Sequence, residues 1–179
     1  PTCLTFHSPI PLWSWGFFAC MTQVFGGSLT GNAHRLFGLA LGASAGAIMT
    51  PFYGGMSALA VAAMALPGST APDWLEIRIG PATLIPHRTV THWLLPWLGL
   101  AVASAVWLPD APLLAALLLG FSVGGLSHVI GDAGTPLGVP VWHPAKRHSL
   151  KLWDGGTSEF WPVLLAWAIA AILIRSLVL

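Results

Sequence analysis

His128 and Asp132 stand four residues apart in the run His128-Val129-Ile130-Gly131-Asp132. On a helix that spacing puts an imidazole and a carboxylate on one face, where both can reach a single cation. Taken alone, the pair reads more readily as a buried His–Asp hydrogen bond. Groups of the same chemistry recur elsewhere. His87 and His92 bracket the run His87-Arg88-Thr89-Val90-Thr91-His92. Five residues apart, they cannot share a helix face, so at least one belongs to the loop before the next helix. In Pro72-Asp73-Trp74-Leu75-Glu76, Asp73 is either a carboxylate ligand or base, or a helix N-cap. His34 opens a helix beside Arg35, and Glu159 opens the last helix, where the helix dipole favours a carboxylate. His143 and His148 lie among Lys146, Arg147 and Lys151, a basic patch for phosphates or anionic headgroups, or an ordinary loop that sets topology. Mixed imidazole and carboxylate donors suit Zn²⁺, Mn²⁺ or Fe²⁺. Cys3 and Cys20 form no CxxC motif, which argues against a structural cysteine zinc site.

The surroundings make these residues conspicuous. The chain has 179 residues, of which 55% are hydrophobic and only 7% charged, with mean hydropathy +0.76. A soluble domain carries about 25% charged residues, so the composition is that of a membrane protein. Ten Trp against one Tyr fit aromatic anchoring at bilayer interfaces. A formal charge of +1 argues against a nucleic-acid-binding surface. Six of the seven histidines and five of the six acidic residues fall in three stretches, 32–35, 72–92 and 128–159.

Apolar runs between these stretches predict the elements that position them. A membrane-spanning helix needs roughly 20 apolar residues. Residues 36–66 carry no charge and are too long for one span, so Pro51-Phe52-Tyr53-Gly54-Gly55 predicts a break between helices near 34–50 and 55–67. Further helices are expected over 93–108, 113–130 and 160–179, and a candidate extra span over 9–29, where no basic n-region marks a signal peptide. The expected fold is therefore all-α: a polytopic bundle of about five to six membrane helices. Residues 1–30 form an apolar N-terminal segment and 31–179 the main domain. Alternation of direction brings His34, the 67–92 loop, His128 and the 131–159 loop to one membrane face. Arg35, Arg78, Arg88, Lys146, Arg147 and Lys151 share that face, which the positive-inside rule makes cytoplasmic.

The motifs, in order, resemble the YdjM-type inner-membrane metal-dependent hydrolases. They are Ala33-His34-Arg35-Leu36-Phe37, Pro72-Asp73-x-x-Glu76, His87-Arg88-x-x-Thr91-His92 and Ser127-His128-x-x-x-Asp132-x-x-Thr135-Pro136-x-Gly138-Val139-Pro140. The resemblance covers roughly residues 33–160. Where that family has a second acidic residue, this chain has Leu75, with Glu76 one position on. Ile77, Thr89 and Trp93 are further departures. Through the family the chain also looks distantly similar to zinc-dependent phospholipase C and single-strand nucleases. The resemblance implies a divalent metal, zinc first and manganese or iron next, held by His34, Asp73, His87, His92, His128, Asp132 and Glu159. It implies hydrolysis of a phosphoester or related ester in a lipid-like or membrane-proximal substrate. Asp73 and His92 would serve the reaction, and Arg88 would stabilise charge developing on phosphate oxygens. Thr91 and Thr135 are expected to support the ligands. Expected partners are membrane lipids, a phosphorylated or lipid-like substrate and a membrane-protein partner. The rival reading is a non-catalytic membrane subunit that binds metal structurally or docks in an assembly. A transporter with a His/Asp relay fits less well, because a relay needs its ionisable groups at mid-span.

Overall fold

The computed structural model describes residues 29–76, 78–79, 82–83 and 88–179, without the side chains of 78–79 and 82–83. The candidate helix over 9–29 (Leu29 apart) and His87 lie outside the described residues. The elements are α1 (Gly31–Gly68), α2 (Ala71–Trp74), β1 (Arg78–Ile79), β2 (Ala82–Thr83), α3 (Leu94–Trp107), α4 (Pro112–Ala133), β3 (Val139–Pro140), β4 (Arg147–His148) and α5 (Phe160–Leu177). The strands form two small antiparallel pairs: Arg78 opposite Thr83, and Val139 opposite His148. Among the described residues three helices, α1, α4 and α5, are long and apolar enough to cross a membrane; α3 is apolar but shorter.

The 38 residues of α1 do not form one rod. Gly54, at φ 75° and ψ 169°, breaks the helix. That conformation is open to glycine and strained for other residues. The break falls there rather than at Pro51, which is accommodated inside the helix. Beyond Gly54 the chain turns back on itself: Gly46 faces Ala58, Gly42 faces Ala65 and Gly38 faces Ser69. A straight helix would hold Gly42 and Ala65 about 35 Å apart. Glycines at four-residue intervals let the two backbones approach, the usual device where lipid supplies no hydrophobic drive between helices.

α4 packs most extensively on α1, with α5 also on α1 and α3 on α4. Pro112 lies in the first turn of α4, where its fixed φ suits a helix start. One face of α4 is again glycine. Gly120 meets the backbone of Val61, and Gly124 meets Ala65, Gly68 and Ser69. The buried side chains form three clusters. Met49, Val61, Leu108, Ala115 and Ala116 make the first. Ala71, Trp97, Val129 and Val139 sit under the polar end, and Phe37, Ala40 and Ala166 join α5 to α1. The middle cluster fixes α2, α3, α4 and β3 against one another, and these elements carry most of the site.

Candidate metal centre

His34 lies in the first turn of α1 and faces inward, while Arg35 beside it faces out. Asp73 lies on α2, and Glu76 follows just after it. Arg88 and His92 belong to the turn before α3. His128 and Asp132 occupy the last turns of α4. His34, Arg88, His92, His128 and Asp132 are each no more than 1% exposed. Burying so many ionisable groups in an apolar bundle is unfavourable unless they are paired or coordinated.

The spacing of their atoms is compatible with both. His92 Nε2 lies 3.2 Å from His128 Nε2. Asp73 Oδ1 is 3.4 Å from His92 Nε2 and 3.5 Å from His128 Nε2. His34 Nε2 is 3.4 Å from Asp132 Oδ1, while Asp132 Oδ2 is 3.7 Å from His128 Nε2 and 3.8 Å from His92 Nε2. Donors around a tetrahedral ion at about 2.1 Å stand about 3.4 Å from one another. Two triads, His34–His128–Asp132 and Asp73–His92–His128, each bring one donor atom per residue within 4.8 Å of the others, close enough to share an ion.

The protons point the same way. His128 Nδ1 lies 2.8 Å from the Ser69 carbonyl, which can only accept, so Nδ1 carries the hydrogen. In the neutral ring that leaves a lone pair on Nε2, aimed at His92 and the two aspartates. His92 Nδ1 lies 3.0 Å from Thr91 Oγ1, with the buried Glu76 carboxylate 3.7 Å away. His34 stacks on His128 with ring centroids 3.7 Å apart. Neither nitrogen of His34 and neither oxygen of Asp132 makes a directed hydrogen bond. The inward lone pair of His128 thus faces the Asp132 carboxylate, whose oxygens accept no directed hydrogen bond, and an arrangement of this kind fits a divalent ion.

Outside the membrane-spanning segments, two groups show the electrostatics. Burial raises the Asp73 pKa, but a hydrogen bond from His92 and the positive potential of His128, His92 and His34 outweigh it and hold the group at about 2. Burial pushes the Arg88 guanidinium below its ordinary value, opposed first by Asp132. Arg88 has φ 57°, a strained left-handed conformation for a long side chain. Its Nη1 donates to the Gly138 carbonyl at 3.1 Å, and its Nη2 stands 2.8 Å from Asp132 Oδ2.

The end of α4 is held from outside. Thr135 Oγ1 donates to the Asp132 carbonyl and the Trp153 indole to the Gly131 carbonyl. The backbone amides of Leu150 and Leu152 reach Ala133 and Gly134.

Of the residues named from sequence, the structure brings together His34, Asp73, Arg88, His92, His128 and Asp132. It takes Glu159 elsewhere: that carboxylate accepts from the amide (2.8 Å) and hydroxyl (2.7 Å) of Thr30, tying the start of α5 to the N-cap of α1. Asp73 does not cap α2, whose N-cap is Thr70. Arg88, expected to face substrate, is turned inward on Asp132. His143, Lys146, Arg147, His148 and Lys151 are exposed, outside the cluster. Sequence reasoning passed over the Ser69 and Gly138 carbonyls, which leave no side-chain signal. It also left out Glu76, whose only signal was an acidic residue displaced by one position.

A family model described as YdjM inner membrane protein matches residues 29–178. An uncharacterised protein of Bacillus subtilis (strain 168), YvsG, is 28% identical over 145 residues, covering 73% of this chain and 85% of that protein. No solved structure matches significantly.

Proposed function

The chain belongs to the YdjM inner membrane protein family, and from that premise we propose that it is a membrane-bound metal-dependent hydrolase. The observation that carries the reading is the set of imidazole and carboxylate atoms 3.2–3.8 Å apart at the buried end of α4. His128, with His34 and Asp132 or with Asp73 and His92, would hold a divalent ion, zinc first by donor type, with manganese or iron as alternatives. Bound there, such an ion supplies a water of pKa about 7 and polarises a carbonyl or phosphoryl oxygen. Asp73 is the donor open to solvent, its side chain half exposed while the others are buried. Substrate and water therefore approach from the α2 side, and Asp73 orients the attacking water or accepts its proton. Ser69, Thr91 and Glu76 fix the ring orientations of His128 and His92. The mouth of the site lies where apolar helices end, which favours an ester or phosphoester in a lipid-like or membrane-proximal substrate.

The same reading places the site on the cytoplasmic face, because Arg35, Lys146, Arg147 and Lys151 are exposed near it. It counts the two halves of α1 as separate spans alongside α3, α4, α5 and the 9–29 segment. A reporter fused near Lys146 that reads periplasmic would reverse that orientation.

The burial of four of the five donors favours a second reading, a metal-binding membrane subunit without catalysis. Turnover separates the two. Purified protein loaded with Zn²⁺ or Mn²⁺ is assayed against phosphodiester, phospholipid and carboxylic-ester panels, beside His128→Ala and Asp73→Ala. Hydrolysis lost in both variants supports the enzyme. Bound metal without turnover that either substitution abolishes supports the subunit.

A further inference from the structure

We propose that the centre holds one divalent ion, not two, and that Arg88 supplies the positive charge a second ion would bring. The proposal rests on the metal reading above and sharpens it.

Two observations carry it. First, the two triads are not independent. Both use His128, whose Nδ1 is committed to the Ser69 carbonyl and which keeps one lone pair, on Nε2. An imidazole nitrogen serves one ion. If one triad is filled, the other is left with two donors, His34 and Asp132 or Asp73 and His92. That is short of the three protein donors a zinc site ordinarily uses. Second, a cation is already built in. Arg88 is fully buried, closes on Asp132 Oδ2 at 2.8 Å and is held from behind by the Gly138 carbonyl at 3.1 Å. It occupies the side of the Asp132 carboxylate that a bridging position would need. The charges agree: Asp73, Glu76 and Asp132 against Arg88 leave two formal negative charges, which one divalent ion neutralises. Arg147 also acts on Arg88, but it is exposed and screened by solvent. In this account Arg88 is a positioning residue. It holds Asp132 so that one oxygen faces the ion, and it keeps the left-handed backbone that delivers it there.

The test counts ions in the purified full-length chain. Wild type is saturated with Mn²⁺, freed of loose metal, and measured by elemental analysis and electron paramagnetic resonance. The expected result is one equivalent with an uncoupled six-line spectrum. Two equivalents with the coupled spectrum of ions about 3.5–4 Å apart overturn the proposal while leaving the metal reading standing. No retained metal overturns the metal reading itself, and this proposal with it. Arg88→Gln is expected to admit a second, weaker equivalent at millimolar Mn²⁺, and Arg88→Lys to stay at one. Arg88→Gln that keeps one equivalent and wild-type affinity, with helical circular dichroism intact, also overturns it. Should Arg88→Gln fail to fold, the wild-type and Arg88→Lys counts still decide.

Discussion

Gly124→Ala joins the packing of this protein to its chemistry. A β-carbon at Gly124 would lie 2.6 Å from the Ser69 amide nitrogen and 2.7 Å from the Gly68 carbonyl carbon, and would also collide with the Ala65 carbonyl. All three obstacles are backbone, so no side chain can swing clear. Ordinary contact begins at 3.4 Å, and the Ala65 carbonyl is the nearest obstacle, so the end of α1 must retreat from α4 by about 1.1 Å. Overpacking of this kind costs about 1–3 kcal/mol. The consequence at the site follows from Ser69. Its carbonyl accepts from His128 Nδ1 at 2.8 Å, and a retreat of that size takes the pair to about 3.9 Å, beyond a hydrogen bond. Losing such a support ordinarily weakens metal binding about 10–100-fold. The assay is competition against a chromophoric zinc chelator, with thermal unfolding beside it. Gly120→Ala is the control. It meets the Val61 backbone on the same interface but one helical turn from Ser69's contact, so it should lower stability similarly and leave affinity within about threefold. Equal affinities for Gly124→Ala and Gly120→Ala, with both destabilised, would refute the link between Ser69 and the ion.

Glu159→Gln should leave metal binding unchanged, because Glu159 serves Thr30; loss of its charged acceptor should lower stability by about 1 kcal/mol, read by denaturant unfolding. Asp132→Asn strands the Arg88 charge in a dry site and should cost about 3–5 kcal/mol in the metal-free protein, so unfolding without metal checks it. Asp73, held at a pKa of about 2, stays ionised from pH 7 to 5, so Asp73→Asn should lower metal affinity by the same factor across that range; chelator competition across pH reads this. The sign for Asp73 itself is the depressed-carboxyl case. Its stabilisation of the metal-free fold is present above about pH 4 and is lost as pH falls toward 2, and Asp73→Asn should flatten that limb of the unfolding profile.

Much of this cluster was legible in the chain because two kinds of signal coincided. The four-residue spacing of His128 and Asp132 needs only a helix to become a shared face. Counting apolar runs then brings His34, Asp73 and His92 to the same end. Other features depended on what spacing does not encode. The break expected within Pro51–Gly55 falls at Gly54, because reversal needs a backbone at φ 75°, which glycine adopts freely, whereas a proline sacrifices only one hydrogen bond. The resemblance implied that Arg88 meets substrate phosphate oxygens; its left-handed backbone and the Gly138 carbonyl turn it inward. Glu159 had the right type for a ligand, and its commitment to Thr30, 129 residues away in sequence, shows only in three dimensions. Glu76 came into place because α2 is a single short turn, which swings the next carboxylate back toward His92.

X-ray absorption at the zinc edge of the loaded, full-length protein tests the central claim most directly. The account predicts nitrogen and oxygen donors at about 2.0–2.1 Å, multiple scattering from imidazoles that weakens in His128→Ala and His34→Ala, and no sulfur at about 2.3 Å. Sulfur scattering, or an imidazole signal that both substitutions leave untouched, would place the ion elsewhere and contradict the centre described at the end of α4.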